Sequence, residues 1–157
     1  MGGNAYQWFD LTSISPDKIG EGLEKAGPYL NEYVDHISDF YKTKNEKIFF
    51  VGFSQGTMMA LYHLCKRKKK CAGLMGYSGL LFENEGFDGE VLSKFPIRLY
   101  HGKQDEVINY DFTVKATKKL KSLGFEVDYD LNQLLGHGID EKGLDIGINF
   151  IKRTFNV

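Results

Sequence analysis

The stretch Lys47-Ile48-Phe49-Phe50-Val51-Gly52-Phe53-Ser54-Gln55-Gly56 limits what this chain can fold into more than any other. It opens as an unbroken apolar run of strand length, rich in β-branched and aromatic residues, as expected of a strand covered on both faces. It continues into Thr57-Met58-Met59-Ala60-Leu61-Tyr62, where Met, Ala and Leu favour helix. Gly-x-Ser-x-Gly, from Gly52 to Gly56, lies at the junction. A strand that reverses abruptly into a helix forces its middle residue into strained backbone geometry, and flanking glycines remove side chains that would clash. The turn lifts the Ser54 hydroxyl above the sheet, and the helix aims its free N–H groups and positive dipole end at the same place.

At 157 residues the chain has the size of one domain, taken here as 1–157, long enough to bury a core. Twenty basic and 21 acidic residues create no global field that would favour nucleic acid or an anionic membrane. Lys66-Arg67-Lys68-Lys69-Lys70 is the local exception. It falls where the helix begun at Gln55 should end and reads as a solvated terminus complementing the helix dipole. Cys65 and Cys71 straddle that run and read as free thiols in a reducing compartment. With no secretory apolar segment and no run long enough to span a bilayer, a cytoplasmic protein without stable membrane insertion is expected.

Ser15-Pro16-Asp17 reads as a helix start, followed by an apolar stripe through Ile19, Leu23, Ala26, Leu30, Val34, Ile37 and Tyr41. Gly27-Pro28 should bend or split that helix. Beyond the Ser54 helix, residues 72–78 form a second apolar strand, and a long loop spans roughly Gly79 to Phe95. A third strand, 96–100, leads into His101-Gly102-Lys103-Gln104-Asp105. A helix through Phe112, Ala116, Leu120 and Leu123 stops at Gly124. Residues 126–131 alternate like a half-exposed edge strand, and Leu135-Gly136-His137-Gly138 leads to a last helix with the stripe Leu144, Ile148, Ile151 and Phe155. Strands alternating with helices predict an α/β fold, a parallel sheet with helices on both faces. Ligands on such sheets bind at the carboxyl ends of strands, and Ser54, Asp105 and His137 each fall just past a different strand.

A serine hydroxyl needs a neighbouring imidazole to take its proton, and the imidazole needs a carboxylate to fix its tautomer. His63 lies too far along its helix to reach back to Ser54, and His101 closes a strand where structural hydrogen bonds are expected. His137, between two glycines at the strand-end face, is the base candidate. Asp105 is the acid candidate, ahead of Glu106 and of Asp111 at a helix start. The order Ser, Asp, His is that of an α/β-hydrolase. Leu80, Leu81 and Phe82 are candidates for an acyl-binding wall or for ordinary packing under the long loop.

The chain resembles the phospholipase/carboxylesterase branch of the α/β-hydrolases, which includes bacterial carboxylesterases and acyl-protein thioesterases. The matching residues are Trp8-Phe9-Asp10, Ser15-Pro16-Asp17, Gly52-Phe53-Ser54-Gln55-Gly56, His101-Gly102 with Asp105 and Val107, and Gly136-His137-Gly138. The resemblance implies Ser54 as nucleophile, His137 as general base and Asp105 as its orienting acid, with the backbone N–H of Gln55 as an oxyanion donor. It implies carboxylic ester, lysophospholipid or thioester substrates, and neither cofactor nor metal. The family normally begins with further strands, one ending in His-Gly-x-Gly whose loop supplies a second oxyanion N–H. That motif has no counterpart here: Gly2-Gly3 follows no strand, and His101-Gly102 belongs to the Asp105 loop. An N-terminally truncated hydrolase is therefore expected, with turnover lower by roughly 10²–10³-fold for one lost donor. Its Ile48–Val51 strand would lie at an exposed edge, to be covered by a homo-oligomer. The alternative is a catalytically weak remnant acting as an interaction protein.

Overall fold

The Ser15 hydroxyl accepts the Lys18 N–H at 3.4 Å and starts α1, Pro16–Phe40, with Pro16 in the first turn. This computed structural model describes residues 7–10 and 14–157, so Gly2-Gly3 lies outside the described residues. The predicted stripe is the buried face of α1 as far as Val34, with Ile19, Leu23, Ala26, Leu30 and Val34 in the core, whereas Ile37 is half-buried and Tyr41, just past the helix, is exposed. Contrary to expectation, Gly27-Pro28 does not split the helix, which runs 25 residues. Partners from α2 (Gln55–His63) brace the turn before Pro28: the His63 ring is 2.8 Å from the Leu23 carbonyl, and the Tyr62 hydroxyl donates to the Glu24 carboxylate. A carbonyl only accepts, so His63 carries its proton on Nε2.

Four strands follow: β1 (Phe49–Phe53), β2 (Gly73–Tyr77), β3 (Ile97–Gly102) and β4 (Val127–Asn132). They pair in parallel in sequential order, with Val51 opposite Met75, Met75 opposite Arg98, and Arg98 opposite Asp128. Right-handed crossovers that always step the same way leave their connections on one face. The larger core fills that face, built from α1, α2, Leu74, Ile97, Leu99 and the Ala116 and Leu120 side of α4 (Asp111–Ser122). The 79–95 connection is more ordered than a loop: it includes the single turn α3 (Phe87–Glu90), whose Phe87 stacks on Tyr62 with ring centroids 5.9 Å apart.

The other face is covered by α5, Glu141–Phe155, over a smaller core of Met75, Tyr77 and Tyr100. Here the predicted stripe is displaced. Gly143, Ile146, Gly147 and Phe150 face the sheet, while Leu144 and Ile148 stay 51% and 49% exposed. Tyr77 and Tyr100 stand up beneath the helix, and only glycine lets it come close enough for the Tyr77 hydroxyl to donate to the Gly143 carbonyl at 2.9 Å. The apolar stripe is turned toward β1, where the Phe155 and Phe49 rings lie 6.3 Å apart. Among the described residues β1 lies at the edge of the sheet, with Val51 62% exposed, although its composition suits a strand covered on both faces.

Burial holds His63 below the usual imidazole range even though it bonds the Leu23 carbonyl. A histidine kept neutral in the fold is protonated first in the unfolded chain. Its contribution is therefore complete above the unfolded value near pH 6.5 and falls as pH drops toward the folded value. The urea midpoint should decrease between about pH 7.5 and 5.5, and less steeply in His63→Gln; equal slopes for the two proteins would contradict this account.

Candidate active site

Ser54 follows β1 with φ 52° and ψ −115°, a conformation that side chains rarely adopt. It is held from both sides. Its N–H donates to the Tyr77 carbonyl at 2.9 Å, and its carbonyl accepts the Met58 N–H at 3.1 Å. The two motif glycines differ in what they do. A Cβ on Gly52 would lie 2.7 Å from the backbone of Gly56 and Thr57, whereas one on Gly56 would meet only the Trp8 indole nitrogen at 4.0 Å. The strand-to-helix crossing therefore requires Gly52 alone. Gln55 and Gly56 occupy the first turn of α2, where backbone N–H groups have no acceptor within the helix.

The Gln55 side chain has a role that its position beside Ser54 did not suggest. Its amide accepts the Trp8 N–H at 3.0 Å and donates to the Phe9 carbonyl at 2.9 Å. This clamps the Trp8–Phe9 segment beside the Ser54 turn. Spacing could not signal it, because the contacts span more than forty residues.

Asp105 lies just past β3 with both carboxylate oxygens occupied. Oδ1 accepts the N–H groups of Val107 and Ile108 at 2.9 and 2.7 Å. Oδ2 takes His137 Nδ1 at 2.8 Å and His101 Nε2 at 3.0 Å. Burial alone would raise this carboxyl, but the Ile108 N–H, the His137 ring and the Val107 N–H together hold it below the usual range. His101 Nε2 also faces the Ile108 carbonyl at 2.9 Å, so that nitrogen carries the proton, and Nδ1 accepts from the Thr113 hydroxyl at 2.7 Å. Burial keeps His101 below the usual range and neutral despite its carboxylate neighbour. The structural hydrogen bonds expected of His101 are thus made largely to Asp105. The competing acids stand apart: Glu106 is exposed, and Asp111 begins α4 with its N–H on the Asn109 side chain.

The loop carrying His137 is fastened to both neighbouring strand ends. Lys103 N–H donates to the Asn132 carbonyl at 2.7 Å, Gln104 N–H to the Leu135 carbonyl at 3.0 Å, and the Ser78 hydroxyl to the Gly138 carbonyl at 3.4 Å. A side chain at Gly102 would collide with the Leu135 carbonyl, so glycine there permits the approach. The His137 ring lies 5.0 Å from that of Phe53, the residue before Ser54. Its Nδ1–H is committed to Asp105, which leaves the Nε2 lone pair free. Ser54 and His137 are not directly hydrogen-bonded to one another in this structure.

Leu80 and Leu81 are buried in the larger core, and Phe82 packs against Tyr62 with ring centroids 5.5 Å apart. Trp8, beside Gly56, and Phe53, beside His137, are the exposed apolar side chains flanking the Ser54 turn. Residues 8 and 53 sit in the quoted sequence motifs, yet only the packed structure separates them from the buried leucines.

A parallel sheet with a serine on a strained strand-to-helix turn, and a bonded aspartate–histidine pair past later strands, is the architecture of the α/β-hydrolases. The phospholipase/carboxylesterase family profile matches residues 1–155, and the chain belongs to that family. It is 30% identical over 155 residues to acyl-protein thioesterase 1 of Candida albicans, covering 92% of this chain and 67% of that relative. A homologue of the same enzyme from Dictyostelium discoideum is 26% identical over 151 residues, with 94% and 67% covered. The crystal structure of esterase PE8 superposes with a TM-score of 0.90 at 31% identity, over 95% of this chain and 70% of that one. The chain thus spans about two thirds of these relatives' length.

The glycine geometry makes a direct prediction. Gly52→Ala should destabilise the fold by about 1–3 kcal/mol through backbone overlap, while Gly56→Ala changes stability by less than about 0.5 kcal/mol. Urea unfolding of the two variants measures this, and equal losses would show that the crossing needs both glycines.

Proposed function

We propose that the chain is a serine hydrolase that cleaves carboxylic esters or thioesters through Ser54, His137 and Asp105. The observation that carries this reading is the 2.8 Å hydrogen bond from His137 Nδ1 to Asp105 at the sheet end that holds the strained Ser54. With Nδ1–H occupied, Nε2 is the base. Ser54 Oγ attacks the acyl carbonyl and gives its proton to Nε2, while the oxyanion takes the Gln55 N–H. His137 returns the proton to the departing alcohol or thiol, leaving acyl-Ser54. Water, deprotonated by the same imidazole, then releases the acid and restores the serine. No cofactor enters these steps. The names of the relatives, esterases and acyl-protein thioesterases, support an acyl substrate such as a simple ester, a lysophospholipid or an acyl-thioester. Trp8 and Phe53 are the apolar surface that a bound acyl chain meets first, while Leu80, Leu81 and Phe82 would enter only if the 79–86 segment opened. Among the described residues no helix is long and apolar enough to cross a membrane.

A fluorophosphonate probe should label Ser54, and a p-nitrophenyl ester should give a burst of product. Ser54→Ala should lower turnover by at least about 10⁴-fold. A folded protein that neither labels nor turns over would leave the interaction-protein reading.

The free edge of β1 supports a second element of this reading. Val51 on that edge, with Leu144 and Ile148 of α5, forms an apolar surface open to solvent. We infer that two copies pair their β1 strands antiparallel about a two-fold axis, which would bring both α5 stripes together. Sedimentation should show a dimer that Val51→Lys dissociates; a monomer at high micromolar concentration would contradict it.

A further inference from the structure

The basic run after α2 divides into two parts. Lys66 pairs with Glu90 at 2.5 Å and lies 3.4 Å over the Tyr62 ring, and Arg67 bonds Asp35 and Asn31. Lys68, Lys69 and Lys70 are exposed and form no ion pair among the described residues. Together with Lys44 they line a surface recess of about 650 Å³. Glu46 is the only carboxylate on its wall, and Lys94 lines it with its ammonium turned toward Gly124. Four unneutralised ammonium groups around one concavity concentrate positive potential on a chain whose net charge is −1.

The wall is built by the fold and does not depend on where the lysine tips lie. Lys47 and Ile48 N–H groups close a tight turn onto the Lys44 and Asn45 carbonyls at 2.8 and 2.9 Å. The opposite wall is fixed by Leu92 and Ser93, whose N–H groups both donate to the Cys65 carbonyl. Asn45 lines the recess and is only 5% exposed, yet its side-chain oxygen is buried with no hydrogen-bond partner. That oxygen is sealed from the recess, so what Asn45 can offer a bound ligand is its side-chain N–H. A phosphate group suits the whole set. Its oxygens accept from the ammonium groups and from the Asn45 side-chain N–H.

We propose that this recess binds a small soluble phosphate-bearing anion, with Lys44, Lys68, Lys69 and Lys70 as countercharges and Asn45 as the hydrogen-bonding group. α2 leads away from Ser54 toward the Lys66–Lys70 run, so the site lies at the opposite end of the sheet from the nucleophile. A lipid surface docked there would face away from Ser54, which favours a free anion over a membrane headgroup.

The test is calorimetric titration of the intact chain with inorganic tripolyphosphate at about 0.15 M salt, alongside ¹H–¹⁵N spectra. Saturable binding at one site is expected, with a shift of the Asn45 side-chain amide resonances. Combining Lys68→Glu with Lys70→Glu should weaken binding by about tenfold or more. Combining Lys115→Glu with Lys118→Glu, an equal charge change on exposed α4 positions, should leave it unaltered. Equal weakening by both pairs would reduce the effect to general charge attraction and overturn the proposal. So would the absence of saturable binding, or binding to phosphatidylserine vesicles with none to tripolyphosphate.

Discussion

A single buried carboxylate ties together the loops at the carboxyl end of this sheet. Asp105 accepts four hydrogen bonds, two from its own loop's backbone, one from His101 inside the fold and one from His137 on another loop. Such a group is stable only when ionised and fully bonded, since an unpaired buried charge would cost several kcal/mol, on the order of 3–5. The arrangement therefore links the end of β3, the start of α4 through Thr113, and the loop after β4. His101 shows how far back this extends: neutral, buried and bonded to Thr113 on its other side, it fixes the carboxylate's orientation without approaching the serine.

Ser54 is held by a separate device. Its backbone is kept at positive φ by the β2 carbonyl of Tyr77 and by the first turn of α2, so strain at Ser54 is supported by the sheet itself. Thr57 reinforces the joint, its hydroxyl donating to the Tyr77 carbonyl at 2.9 Å and accepting the Tyr77 N–H at 3.1 Å. The two devices meet where Phe53 packs on His137.

Much of this was legible because local signals agreed with one another. Ser15-Pro16 marked the start of α1, the apolar run marked β1, and Gly-x-Ser-x-Gly marked the turn between strand and helix. That His137 and Asp105 would meet was legible because chain order and strand ends restrict which residues can come together. Periodicity misplaced the buried side of α5, because a helix packed over two standing tyrosines needs Gly143 and Gly147 against the sheet and not its most apolar residues. The split allowed for at Gly27-Pro28 does not occur, since partners from α2 brace the turn before the proline. The Gln55 clamp and the unmet Asn45 amide lay beyond sequence reasoning altogether, because both are long-range polar relations that leave no periodic trace. The outward stripe of α5 and the β1 edge left open among the described residues are one observation seen twice: this surface has the composition of an interior.

The central claim is that Asp105 holds the His137 imidazole with its proton on Nδ1 and Nε2 open as a base. Proton NMR of the folded chain in water tests it most directly. The account predicts a far-downfield imidazole N–H resonance that ¹⁵N correlation assigns to His137 Nδ1 and that disappears in Asp105→Ala. A His137 ring protonated on Nε2 at neutral pH, or an Nδ1–H resonance unchanged by loss of the carboxylate, would contradict it.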